Sequence, residues 1–261
     1  MIIRLIIPLC NAPKGGYCDD ALNFQGRLQI LQNAMQPDVD LIVTSHNFFD
    51  FSSCNHINLN NICVNIVAFI NTHIINYLNC LEIKRPIVLG FDIKRGGNIN
   101  PYGGIDAIVC FLDIDQNKYQ YKTHIWECWK SSGRCNTIKC FQAQNNKRFF
   151  SLNTKKIGLL SCGDMYTYCN KRNGVSYLGN PDVYLDLAHL SLPFQRTCNS
   201  VNVNLSNQAK YVLITQQYQQ NNFKIYFHNN SYKLIFPNNS TQKIQPINNN
   251  PLLGYYADVI I

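Results

Sequence analysis

The chain has 261 residues, 46% of them hydrophobic and 12% aromatic, so it can bury a sizeable core and is not a disordered segment. Its net charge of +8 comes from 23 basic and 15 acidic residues; the basic residues are scattered, so no nucleic-acid surface is predicted. Since no apolar run approaches 18 residues and the first residues lack the layout of a signal peptide, we expect a soluble protein without a membrane partner.

The first fifty residues are predicted to form a β-strand, an α-helix and a second β-strand. Ile2 to Leu9 is an apolar run typical of a buried strand, and residues 19–36 carry apolar side chains at helical spacing up to Pro37. Residues 40–43 form the second apolar run. This strand presents His46 just beyond its carboxyl end.

The middle of the chain is predicted to be rich in strands. Lys122 and His124 are two residues apart in a segment that follows a polar turn, so a hairpin strand places both on one face. One helix and three strands are predicted here, over residues 57–80, 86–90, 105–114 and 119–125.

A short apolar run, Ile157 to Leu160, ends at the sequence Ser-Cys-Gly-Asp. Turn formers after such a run indicate a buried strand leading into a sharp turn, with Cys162 at its carboxyl end and Gly163 allowing a tight backbone. In α/β sheets that edge commonly displays reactive groups. The other interpretation is a buried structural thiol, which is common at such positions.

The rest of the chain is predicted to contain more strands and one short helix. The early and late strands have helices beside them while the middle is strand-rich, which favours a layered α/β architecture in a single domain over residues 1–261. The strands are predicted at residues 182–187, 211–216, 224–227, 232–236 and 255–261, and the helix at 206–209.

The twelve cysteines are spread evenly along the chain, unlike those of a small disulfide-rich domain. We therefore expect reduced thiols and a cytoplasmic location. No Cys-x-x-Cys pair occurs, and Cys128, Cys135 and Cys140 are spaced more loosely than usual zinc ligands. Neither a metal nor another cofactor is predicted.

Three segments of this sequence resemble, in order, the catalytic blocks of the carbon–nitrogen hydrolase, or nitrilase, superfamily. They are Asp40-Leu-Ile-Val-Thr-Ser-His46, Tyr121-Lys122-Thr-His124-Ile-Trp126 and Ile157-Gly-Leu-Leu-Ser-Cys162-Gly-Asp164. The resemblance covers nearly the whole chain and implies an αββα sandwich. It also implies pairing through helices into a homodimer or larger homo-oligomer, and a small-molecule amide, carbamoyl compound or nitrile as substrate.

The resemblance further implies a role for each matching residue. Cys162 corresponds to the nucleophile and Lys122 to the group that stabilises the tetrahedral intermediate, whereas His46 stands where the family has a Glu base. The oxyanion and substrate-binding part of the pocket is expected to contain Gly163, His124, His189 and Glu127, although Glu127 follows the Lys block more closely than the family's second Glu does.

Two functions remain open at this point. A histidine can accept a proton at neutral pH, so His46 could serve as base for Cys162 in a thiol hydrolase. Alternatively, loss of the carboxylate that balances Lys122 predicts a catalytically impaired relative that acts as a binding or assembly protein. A metal bound by His46 and Cys162 is the weakest alternative, because no further ligand is assured nearby.

Overall fold

The computed structural model describes the chain in fifteen ranges. Statements about structure below concern these residues: 1–8, 24–45, 48–50, 70–93, 105–111, 114–115, 118–119, 124–129, 149–161, 181–188, 211–216, 222–227, 232–235, 244–246 and 254–261.

Two β-sheets account for most of the described chain. The strands are β1 Ile2–Pro8, β2 Leu41–Thr44, β3 Phe49–Asp50, β4 Ile87–Ile93, β5 Ile105–Phe111, β6 Ile114–Asp115, β7 Lys118–Tyr119, β8 His124–Trp129, β9 Phe149–Leu152, β10 Lys155–Ser161, β11 Val183–Ala188, β12 Tyr211–Gln216, β13 Asn222–Phe227, β14 Tyr232–Ile235, β15 Ile244–Pro246 and β16 Gly254–Ile260.

The first sheet has the described strand order β15-β16-β1-β2-β4-β5-β8, with β3 beside β4. In this sheet β1, β2 and β4 run parallel to one another, and β5 and β16 run antiparallel to their neighbours. The second sheet has the order β14-β13-β12-β11-β10-β9, with a parallel centre of β10, β11 and β12. The predicted antiparallel pairing is confirmed, because β5 pairs with β8 and the short strands β6 and β7 pair between them. The second strand covers residues 124–129 rather than 119–125, and Lys122 lies outside the described ranges.

Helices cover the outer face of the first sheet. α1, Phe24–Ala34, buries Leu28, Ile30 and Leu31 against strand residues, because helical spacing places these side chains on one stripe. A π-helical turn, Ile70–Ile75, continues into α2, Asn76–Asn79, whose Leu78 enters the same cluster. The predicted helix over 57–80 is therefore observed in its last third, and its earlier residues lie outside the described ranges.

A second core lies between the two sheets. Strand alternation sends every second residue to this layer, so Leu5 and Val43 of the first sheet meet Leu159 and Leu185 of the second, all fully buried. Complete burial of one such side chain contributes about 1.5–3 kcal/mol. The sandwich is therefore held by a continuous apolar layer to which both sheets contribute.

An ion pair between buried Arg4 and exposed Asp258 fixes the last strand to the first. Arg4 donates from Nε and one terminal nitrogen to the two carboxylate oxygens of Asp258, each at 2.7 Å, and its guanidinium also reaches the Ala34 carbonyl at 3.2 Å. Its central carbon lies 4.4 Å from the ring centre of Tyr256. The pair connects β1, β16 and the end of α1.

Candidate active site

The carboxyl ends of parallel strands from both sheets meet at one edge of the sandwich. Thr44 ends β2 in the first sheet, and Thr215 lies near the end of β12 in the second. The Thr215 hydroxyl donates to the Thr44 carbonyl oxygen at 3.1 Å, and both residues are at most 1% exposed. This edge is where parallel strands usually present functional groups.

The strand that precedes Cys162 reaches the same edge. Ser161, its last residue, pairs with Leu187 of β11, and Leu187 pairs with Thr215 of β12. These three residues form one row across the second sheet. Since neighbouring strands are about 4.8 Å apart, the Ser161 backbone lies about 10 Å from that of Thr215.

The chain on both sides of residues 46–47 is held firmly in place. Before them, the Ser45 amide donates to the Ile6 carbonyl at 3.1 Å, and the Thr44 hydroxyl accepts from the Gly90 amide at 3.0 Å. After them, the Phe48 amide returns to the Ser45 carbonyl at 3.2 Å, and buried Arg27 donates to the Phe48 carbonyl. Residues 46–47 therefore join two fixed, buried points.

Five of the predicted site residues lie outside the described ranges, but each lies within two residues of a described one. His46 follows Ser45, Cys162 and Gly163 follow the end of β10, His189 follows the end of β11, and Lys122 stands two residues before β8. Their positions in the pocket stay predictions. What the structure places at one edge are the strand ends that lead into His46, Cys162 and His189.

The other two predicted residues, His124 and Glu127, lie in β8. His124 pairs with Cys110 and Glu127 with Ala107 across the antiparallel β5. Their assignment to one substrate pocket stays a prediction.

Sequence reasoning missed two buried polar residues near this edge. Thr215 supplies the bond between the sheets, and Asp186, 1% exposed, pairs through its backbone with Leu160, two residues before Cys162. The signal for Asp186 was present in the sequence, since an acid inside the run Val-Tyr-Leu-Asp-Leu-Ala is unusual for a buried strand. No comparable signal marks Thr215, because threonine is common in strands.

Thiols outside the predicted site have distinct environments. Cys110 is fully buried between the sheets, and burial raises the pKa of its thiol well above the ordinary value of 9.0, which keeps it protonated and unreactive. Cys80 is exposed at the end of α2.

Within the described ranges no three His, Cys, Asp or Glu residues form a group suited to a metal ion, and no helix is long and apolar enough to cross a membrane.

Comparisons with known proteins agree with this architecture. No protein-family model and no curated protein sequence matches the chain. Among solved structures, a carbon–nitrogen hydrolase from Helicobacter pylori G27 aligns with 99% of this chain and 88% of its own, at 9% identity and a TM-score of 0.50. A mutant of an amidase of the nitrilase superfamily from Nesterenkonia AN1 aligns with 99% and 90%, at 10% identity and a TM-score of 0.51.

The paired sheets, the outer helices and these alignments define the fold class. The chain has the α/β sandwich fold of the carbon–nitrogen hydrolase, or nitrilase, superfamily. This confirms the fold that the three sequence blocks implied.

Proposed function

We propose that the chain is a thiol hydrolase that cleaves a non-peptide carbon–nitrogen bond in a small amide, carbamoyl compound or nitrile. Cys162 is the nucleophile, Lys122 stabilises the oxyanion and His46 is the base. The observation that supports this most is the Thr44–Thr215 hydrogen bond, which joins the strand before His46 to the sheet that contains the strand before Cys162. The shared fold with a carbon–nitrogen hydrolase and an amidase supports it further.

For an amide, the proposed reaction has two halves. His46 takes the Cys162 proton, and the thiolate adds to the carbonyl carbon, giving a tetrahedral oxyanion held by the Lys122 ammonium and the Gly163 N–H. The carbon–nitrogen bond then breaks as His46 returns its proton to the leaving nitrogen, which leaves a thioester. In the second half, His46 deprotonates water and the hydroxide attacks the thioester. The carbon–sulfur bond breaks, the Cys162 thiolate takes the proton back from His46, and the acid product leaves and loses its proton to solvent.

The histidine changes the charge of such a site. A Glu base would carry a negative charge beside the Lys122 ammonium, whereas neutral His46 carries none. The Cys162 thiolate is then the main anion that balances the lysine, which favours ionisation of the thiol. We therefore expect a reactive Cys162 even where turnover is slow.

The second candidate is an impaired relative that binds a ligand or a partner without hydrolysis. The specific observation in its favour is His46 at the position of the family's Glu. An unreactive Cys162 and no turnover are expected on this view.

Thiol alkylation separates the two candidates. Treated with iodoacetamide at pH 7, the native protein should be labelled at Cys162 at least tenfold faster than at exposed Cys80, because a larger thiolate fraction reacts faster. Buried Cys110 should be labelled last and so reports that the protein stays folded. Labelling of Cys162 no faster than Cys80 would contradict the proposed function.

Ammonia release from a panel of small amides and nitriles tests turnover directly. Cys162→Ala should abolish it, and Lys122→Met should lower kcat by about 100- to 1,000-fold, as loss of an oxyanion donor does elsewhere. His46→Ala should lower kcat by about 100-fold or more. Activity that survives Cys162→Ala would rule out the thioester route.

A further inference from the structure

We propose that Thr215 is a positioning residue for the reaction: its bond to Thr44 sets the separation of the two sheets at the catalytic edge, and through it the distance from His46 to Cys162. This inference rests on the proposed function. Thr215 itself is not expected to touch the substrate.

The Thr44–Thr215 hydrogen bond is shielded from water and lies close to His46 in the sequence. Its donor and its acceptor are at most 1% exposed, so no water can replace the hydroxyl without entering the core. Only Ser45 separates Thr44 from His46 along the chain, and the Ser45 amide is itself hydrogen-bonded to the Ile6 carbonyl. A change in the position of Thr44 must therefore be passed on to His46.

The donor side connects equally closely to the nucleophile. Thr215, Leu187 and Ser161 lie in one row of paired strands, and Ser161 immediately precedes Cys162. The strands in this row are parallel and hydrogen-bonded, so they move as a unit. The bond thus joins the strand before the base to the sheet before the nucleophile.

The hydroxyl at this position is not explained by packing alone. Leu187 in the same row and Leu213 two residues earlier on β12 also face the first sheet, and both are apolar and buried. A valine at residue 215 would have the same shape and similar preference for a strand, but would remove the side-chain donor to the Thr44 carbonyl. We therefore expect the hydroxyl of Thr215, rather than the shape of its side chain, to be required for the reaction.

The opposite end of the sandwich offers a matched control. There Asp40 accepts from the Ile2 amide at 2.6 Å and from the Asn153 side chain at 2.9 Å, which joins the start of β2 to the turn between β9 and β10. Asn153→Ala removes a side-chain bond between the same two sheets without touching the catalytic edge.

The experiment compares Thr215→Val, Thr215→Ser and Asn153→Ala with the native protein. Cys162 alkylation is measured against pH by mass spectrometry, with Cys80 as internal reference, and kcat and KM are measured on the best amide. We expect Thr215→Val to lower the Cys162 rate and kcat by on the order of 10- to 100-fold with a smaller change in KM, because misplaced reactive groups slow chemistry more than binding. Thr215→Ser should restore most of both, and Asn153→Ala should leave both within about twofold of native.

Amide hydrogen exchange provides a readout that is independent of chemistry. Thr215→Val should speed exchange at Ser45 and Phe48, whereas Asn153→Ala should not. Should the valine variant fail to fold, Thr215→Ala is compared with Thr215→Ser in the same assays. Equal Cys162 reactivity in the valine and serine variants would overturn this inference alone, and an unreactive native Cys162 would overturn the proposed function and this inference together.

Discussion

At the scale of single residues, burial in the core changes the acid–base properties of a side chain. Cys110 is the clearest case, because its thiol is fully buried in the apolar layer between the sheets and has its pKa raised by desolvation. A raised pKa means that the folded protein holds a proton that the unfolded chain loses near pH 9. Stability from this group is complete below that pH and declines as pH rises above it.

The pH dependence of unfolding tests this directly. Above about pH 9 the native protein should lose up to about 1.4 kcal/mol of unfolding free energy per pH unit through Cys110, and Cys110→Ala should remove that component of the slope. Urea denaturation between pH 8 and 10 measures it. Cys80→Ala is the control and should keep the native slope; an unchanged slope in Cys110→Ala would contradict the assignment.

At the same scale, sequence reasoning predicted the strand ends beside the candidate residues but not the contacts between the sheets. His46, Cys162 and His189 could be assigned to strand ends because an apolar run followed by turn formers marks such an end. The partner of Thr44 could not be found that way. Thr215 is 171 residues distant in sequence, and no local pattern encodes a contact between two sheets.

Strands and helices were predicted where their apolar patterns are strong. The range 211–216 was predicted to the residue, and Ile2, Leu41 and Ile157 lie in strands as expected. β3, β9 and β15 were missed, since strands of two to four residues give too little alternation to recognise. The turn after β9 also lacks glycine, the usual hairpin marker.

That turn is strained. Asn153 and Thr154 join β9 to β10 with positive φ angles of 48° and 65°. A tight two-residue hairpin requires this backbone, and a β-branched residue such as threonine adopts it poorly. The Asn153 side chain is already engaged with Asp40, so Thr154 is the position at which the strain can be relieved.

Thr154→Gly should therefore stabilise the protein by about 1 kcal/mol, because glycine accepts positive φ without a steric penalty. Thermal or urea denaturation measures the gain. Ser151→Gly, an exposed position inside β9, is the matched control and should instead cost about 0.5–1 kcal/mol. A loss of stability in Thr154→Gly would show that the threonine side chain contributes more than the strain costs.

For the whole molecule, the apolar layer between the sheets is what holds the two sheets together. Leu159 is fully buried there, whereas Ile260 of β16 is 78% exposed. Because both sheets contribute to a continuous layer, a cavity on one side should weaken the packing of the other.

The overall sandwich was predictable from the order of strands and helices together with the three sequence blocks. The antiparallel pairing of β16 with β1 was not predictable, since it joins distant parts of the chain.

Leu159→Ala should accordingly destabilise the protein by about 2–5 kcal/mol, and Ile260→Ala by less than about 0.5 kcal/mol. Urea denaturation followed by fluorescence and by circular dichroism measures both. The two probes should report a single coincident transition. Separate transitions in Leu159→Ala would mean that each sheet holds together on its own.

The position of β1 has a consequence for synthesis on the ribosome. Its partner β2 follows early in the chain, but its other neighbour is β16, and the Asp258 that pairs with Arg4 comes 254 residues later. Until β16 is made, one edge of β1 has no partner strand, and Arg4 has no carboxylate with which to pair. Such long-range closure makes folding slow, and it leaves a long interval in which a chaperone can bind or neighbouring chains can aggregate.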